Sequence, residues 1–110
     1  MRRRIPVLIT TTNTLEGKEI AEYLGIASGQ AIMGANVVRD FLAGITDVIG
    51  GRSGAYESKL NEAKEIALRE MAQEARAMGG NAVIGVDLDF ETIRDGMIMC
   101  IATGTAVRVK

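Results

Sequence analysis

The residues able to do chemistry fall into three groups. The first is Gly50-Gly51-Arg52-Ser53-Gly54, a guanidinium and a hydroxyl set among glycines. Gly50 and Gly51 tolerate the positive φ that ends a helix, while Ser53 and Gly54 suit the start of the next. Gly51, Arg52, Ser53 and Gly54 could then converge on a phosphate or another oxyanion through backbone N–H groups, a hydroxyl and the Arg52 fork. The segment lacks the spacing of a P-loop and has no strand before it. The competing reading is a helix-to-helix corner in which Arg52 pairs with Asp47 or with a neighbouring subunit's carboxylate.

The second group is Asp87, Asp89 and Glu91, on alternate positions of an apolar/polar pattern. Oxygen ligands of this kind suit a hard divalent cation. Adjacent members of one strand face lie about 6.5–7 Å apart, too wide for all three to hold one ion unaided. The row reads as a polar sheet face, solvated or paired across a subunit contact, and a ring of copies could supply missing ligands. The third group is sulfur: Cys100, and Met71, Met78, Met97 and Met99 among the methionines. Soft metals favour thiolate and imidazole, but Cys100 is the one cysteine and there is no histidine. Periodicity assigns the methionines to packing.

Composition narrows the function further. With no histidine the chain lacks the commonest general base near neutral pH, and no spacing of lysines or carboxylates singles out a catalytic set. A lone cysteine excludes an intramolecular disulfide and a cysteine-pair zinc site. The 13 basic and 14 acidic residues form no long run of either sign, so neither nucleic acid nor an anionic membrane is an expected partner. Arg2, Arg3 and Arg4 precede an apolar run too short for a signal peptide, which points to the cytoplasm.

The 110 residues fit one domain, residues 1–110. Residues 5–12 predict a short strand, with Pro6 suited to its start or to an edge. Residues 13–17 turn, and residues 19–33 predict a strand in which Gly25 and Gly29 argue for a bend or bulge. Residues 36–49 predict a helix with Asn36 as N-cap. A second helix is predicted over residues 54–78, with Leu60, Ala63, Ala67, Met71, Ala75 and Met78 in line and Gly79 just past its end. Tyr23 and Tyr56 are expected as half-buried anchors.

Residues 81–93 alternate, placing Ala82, Ile84, Val86, Leu88 and Phe90 on one side and the acidic row on the other. Asp95-Gly96 signals a hairpin with residues 97–109 as its return strand. Two loop residues there set Glu91 opposite Cys100, Asp89 opposite Ala102 and Asp87 opposite Gly104. The order is α+β, an antiparallel sheet packed with two consecutive helices. The long helix and the hairpin arms of about 40 Å exceed what an isolated domain of this size needs, given a radius of gyration of about 13 Å. Other subunits are therefore expected to complete the sheet.

Five segments together resemble the YbjQ-like family: A-I-M-G-A-N from Ala31, R-D at Arg39 and Asp40, D-V-I-G-G-R-S-G-A-Y-E-S-K-L from Asp47, N-A-V-I-G-V-D-L-D-F-E from Asn81, and T-G-T-A-V from Thr103. The resemblance spans nearly the whole chain. It implies a dodecin-subunit-like fold in a ring-shaped homopentamer, with an extra N-terminal strand helping subunit contacts. The family is biochemically uncharacterised and carries a heavy-metal-binding label. Metal ligands do not carry over: the cysteine of some members falls at Leu24 here, and Cys100 stands where an aliphatic residue is expected. Two functions follow as expectations. One is a cytoplasmic, non-enzymatic homo-oligomer without a cofactor, binding a small ligand or metal ion or serving as a scaffold, with Asp87, Asp89, Glu91 and Cys100 as metal candidates. The other is an anion-ligand protein or enzyme using the loop from Gly50 to Gly54, with Arg52 at a subunit boundary.

Overall fold

A computed structural model describes residues 6–34, 54–94 and 97–110. Four strands and one helix lie within them: β1 (Leu8–Ile9), β2 (Ile20–Met33), α1 (Gly54–Ala77), β3 (Ala82–Arg94) and β4 (Met97–Val109). The helix expected over residues 36–49 lies outside the described residues. The strands form one sheet in the order β1-β3-β4-β2. The wholly antiparallel sheet expected from the pattern is corrected at one edge. β3 and β2 both run antiparallel to β4, but β1 joins β3 in parallel, with Leu8 against Ala82 and Ile9 against Val83. The fold is α+β with a mixed sheet. A short N-terminal strand carries no periodicity that distinguishes the two directions, so the pairing is set by where the chain enters.

Between Ala55 and Ala77, α1 contains neither glycine nor proline and is rich in Ala, Glu, Lys, Arg and Met, all strong helix formers. Its predicted stripe is its buried face: Ala63, Ala67, Met71 and Ala75 are core residues, flanked by partly buried Leu60 and Met78. Gly79, with φ +96°, ends the helix. Its N–H donates to Arg76 O at 2.9 Å, and the N–H of Gly80 donates to Ala75 O at 2.9 Å. These bonds satisfy carbonyls that the last turn would leave open.

The helix packs on the face of β2 and β4 through small residues: Ala27 and Ala31 on β2, Ala102 and Ala106 on β4. Gly29 lies at the closest approach. A methyl group there would overlap the carbonyl oxygen of Ala67 and come within 2.5 Å of the Met71 amide nitrogen. Helix backbone thus rests directly on strand backbone. The bulge expected in β2 is present at Gly25, where φ is +128° and the register with β4 shifts between Tyr23 and Gly25. Gly29 itself serves this close approach.

β2 is an edge strand, and α1 covers two of its outward amides. Ser28 N–H donates to Glu74 Oε1 at 2.7 Å and Gln30 N–H to Glu70 Oε1 at 3.3 Å. Two carboxylates one helical turn apart thus cap alternate donors of an edge that could otherwise pair with another chain. At the other end of the sheet, Asn81 clamps β4. Its side chain donates to Val109 O at 3.1 Å and accepts from Val109 N at 2.8 Å. Tyr23, expected as a half-buried anchor, is instead 68% exposed, paired with Val107 on the sheet face away from α1.

Candidate functional site

The hairpin decides where the acidic row and Cys100 point, and it does not keep simple alternation. Arg94 pairs with Met97, as a two-residue loop requires, but Thr92 pairs with Ile98 and leaves Ile93 as an extra residue. This bulge slides the register by one. Glu91 therefore faces Met99, Asp89 faces Ile101 and Asp87 faces Thr103, in place of the expected Cys100, Ala102 and Gly104. Phe90, not Glu91, lies opposite Cys100.

A second bulge sits at Gly85 and Val86, between the pairs Ile84–Thr105 and Asp87–Thr103. Gly85 has φ +61°, a conformation glycine adopts without a steric penalty. The two displaced amides turn toward the N-terminal segment: Gly85 N–H donates to Thr12 O at 2.8 Å and Val86 N–H to Thr10 O at 3.1 Å. The bulge also breaks the expected grouping of Ala82, Ile84, Val86, Leu88 and Phe90. Val83 and Val86 join the core beneath α1, while Ala82 and Ile84 pack with Val107 on the other face, beside Leu15, Ile20 and Val109. Gly104 allows this, because a Cβ there would meet Val83 Cγ1 at 2.5 Å.

The consequence for the metal candidates is a separation. Asp87, Asp89 and Glu91 are exposed on the sheet face away from α1, while Cys100 is fully buried in the core beneath it. Backbone and side chains of β3 and β4 stand between the two sets. Within the acidic row, a hydrogen bond that protonated Asp89 donates to Asp87, followed by the charge of Asp87, raises the Asp89 pKa above the ordinary aspartate value, with a further push from Glu91. The row is thus close enough to repel itself. Burial raises the Cys100 pKa, with nearby Lys64 pulling the other way and Asp89 adding to the rise. Cys100 is therefore a protonated thiol at neutral pH. Among the described residues, no three of His, Cys, Asp and Glu converge in a metal-holding cluster.

Of the anion-site candidates, Gly51, Arg52 and Ser53 lie outside the described residues, and Gly54 is the first residue of α1. A groove lies among the described residues. Its volume is about 180 Å³, between the end of β2 (Ala31 to Gly34) and Lys59, Glu62, Ala63 and Ile66 of α1. Lys59 Nζ lies 3.1 Å from Glu62 Oε1, so part of the charge at the rim is neutralised internally. The groove was not legible in the sequence, because its two walls come from segments about 30 residues apart in the chain.

The comparisons span nearly the whole chain. The sequence profile of the YbjQ family, described as "Putative heavy-metal-binding", matches residues 7–110. A UPF0145 protein of Geobacillus kaustophilus is 73% identical over 94% of this chain and 99% of its own length. UPF0145 proteins of Anoxybacillus flavithermus and Bacillus cereus are 70% and 55% identical, over 94% of this chain and 99% and 100% of theirs. Among solved structures, a Pediococcus pentosaceus protein of unknown function from the DUF74 family aligns with a TM-score of 0.53. It covers 94% of this chain and 98% of its own, at 15% identity. That likeness is one of fold. The donor set does not fit a soft heavy metal: one sealed thiol and no imidazole cannot make the thiolate and imidazole site such ions prefer.

Proposed function

The chain belongs to the YbjQ family, and from its exposed apolar surface we propose that it is a non-enzymatic subunit of a cytoplasmic homo-oligomer, a ring of five copies. In this reading a small ligand or a hard cation is held between copies, or the ring serves as a scaffold. The observation that carries it is the apolar surface one copy leaves open. Ile26 is 77% exposed and Ile32 56% exposed on β2, and Phe90 and Ile93 near the tip of the β3–β4 hairpin are also exposed. A single subunit that leaves such side chains in water gains by covering them with another. The extended shape agrees. The radius of gyration is 17.0 Å and the longest dimension 52 Å, against about 13 Å for the radius of a compact chain of this length.

The outward acidic row fits the same reading, since Asp87, Asp89 and Glu91 of one copy are available to a neighbour's cations. The competing reading is an anion site at Gly51, Arg52, Ser53 and Gly54, used in binding or in catalysis. Native mass spectrometry of protein purified from its own host tests both. Five subunits are expected, and a stable monomer at micromolar concentration would overturn the assembly. A retained phosphate-bearing molecule that disappears in Arg52→Ala would favour the competing reading.

A further inference from the structure

We infer that this chain has no soft heavy-metal site, in one copy or shared between copies, and that Cys100 is a packing residue of the core. The inference sets the chain apart from its family's description and rests on the donors, independently of the assembly proposed above.

The whole sequence contains one cysteine, no histidine and six methionines. The residues outside the described ones hold neither cysteine nor histidine and contribute only Met1 as a sulfur donor. A thiolate site for an ion such as cadmium would thus have to gather Cys100 from several copies. Burial forbids this. Cys100 is 0% exposed, on the sheet face that α1 covers, in one cluster with Ala31, Ala63, Ala67 and Ala102. Bringing two such thiols together would require lifting the helix from each sheet, which would break the contact at Gly29 and the carboxylate caps on Ser28 and Gln30.

Thioethers offer no substitute. Met71 and Met33 are buried on the same side as Cys100, whereas strand alternation sets Met97 and Met99 on the opposite face. Met97 and Met99 lie about 7 Å apart along the strand, with Met99 across from Glu91. The sulfur donors are therefore divided by the sheet itself. Deprotonation compounds the difficulty, since the thiol is held above its ordinary pKa by burial and a metal ligand must be thiolate.

The test uses the full wild-type chain in its native assembly, dialysed against cadmium or, under reducing anaerobic conditions, against Cu(I). Bound metal is counted per chain, and Cys100 is titrated in parallel with a thiol-reactive chromophore. The expected result is less than about 0.1 ion per chain at micromolar free metal, with Cys100 unreactive until denaturant is added. The same low uptake is expected in Cys100→Ala. One ion per chain, or one per fixed number of chains, bound at submicromolar free metal would overturn the inference, whichever residues prove to hold it. So would prompt labelling of Cys100 in the native protein.

Discussion

Replacing Gly29 by alanine tests the central packing claim, that α1 rests on β2 backbone to backbone. The added methyl would overlap the Ala67 carbonyl oxygen and sit within 2.5 Å of the Met71 nitrogen, with Glu70 Cβ at 3.0 Å. Two of the three obstacles are helix backbone, so no rotamer change relieves them; the helix must move by about 1 Å or more to restore ordinary contact distances. Overpacking of this kind costs about 1–3 kcal/mol. The same displacement stretches the bonds from Ser28 and Gln30 to Glu74 and Glu70, adding about 1 kcal/mol. The expected loss is about 3 kcal/mol, or a drop in Tm of about 10 °C or more. Urea unfolding followed by circular dichroism measures it. Gly34→Ala is the control, because no described residue lies within 4 Å of a Cβ there, and its effect should stay within about 0.5 kcal/mol. A Gly29→Ala loss below about 1 kcal/mol would refute the close approach.

Three further outcomes follow from the same geometry. Glu74→Ala should free the Ser28 amide, seen as faster hydrogen exchange at that residue, and cost about 1 kcal/mol; unchanged Ser28 protection would contradict the edge cap. Asp89 has a raised pKa caused first by its Asp87 hydrogen bond and then by Asp87's charge, so its folded form holds the proton more tightly than its unfolded form. Its contribution is present at low pH and is lost as pH rises above the ordinary aspartate value; Asp89→Asn should therefore flatten that loss in melts between pH 3 and 7, and an unaltered pH profile would count against the crowded row. Cys100 follows the same sign in the alkaline range, its raised pKa arising mainly from burial. Stability should fall as pH rises beyond the ordinary thiol value of 9.0, and Cys100→Ala should remove that slope while lowering the neutral-pH Tm through the small cavity it leaves.

Elements governed by neighbours in the chain were legible in the sequence. The apolar stripe of α1, its stop at Gly79, the bend of β2 at Gly25 and the two arms of the hairpin all follow from local periodicity and backbone freedom, which near residues decide. So did the poverty of soft-metal donors, since a missing histidine is missing in any fold. What pairing decided was not legible. The extra residues at Ile93 and at Gly85–Val86 shift register without breaking the apolar pattern, and each shift changes which residue meets which across the hairpin. They moved Glu91 from Cys100 to Met99 and placed Val83 and Val86 together beneath the helix. The parallel entry of β1 and the clamp of Asn81 on β4 likewise depend on residues far apart in the chain. The separation of thiol from carboxylates by the thickness of the sheet belongs to this second kind. Side-chain type is a property of the chain, but which face a side chain occupies is settled by long-range pairing and by the helix that seals one side.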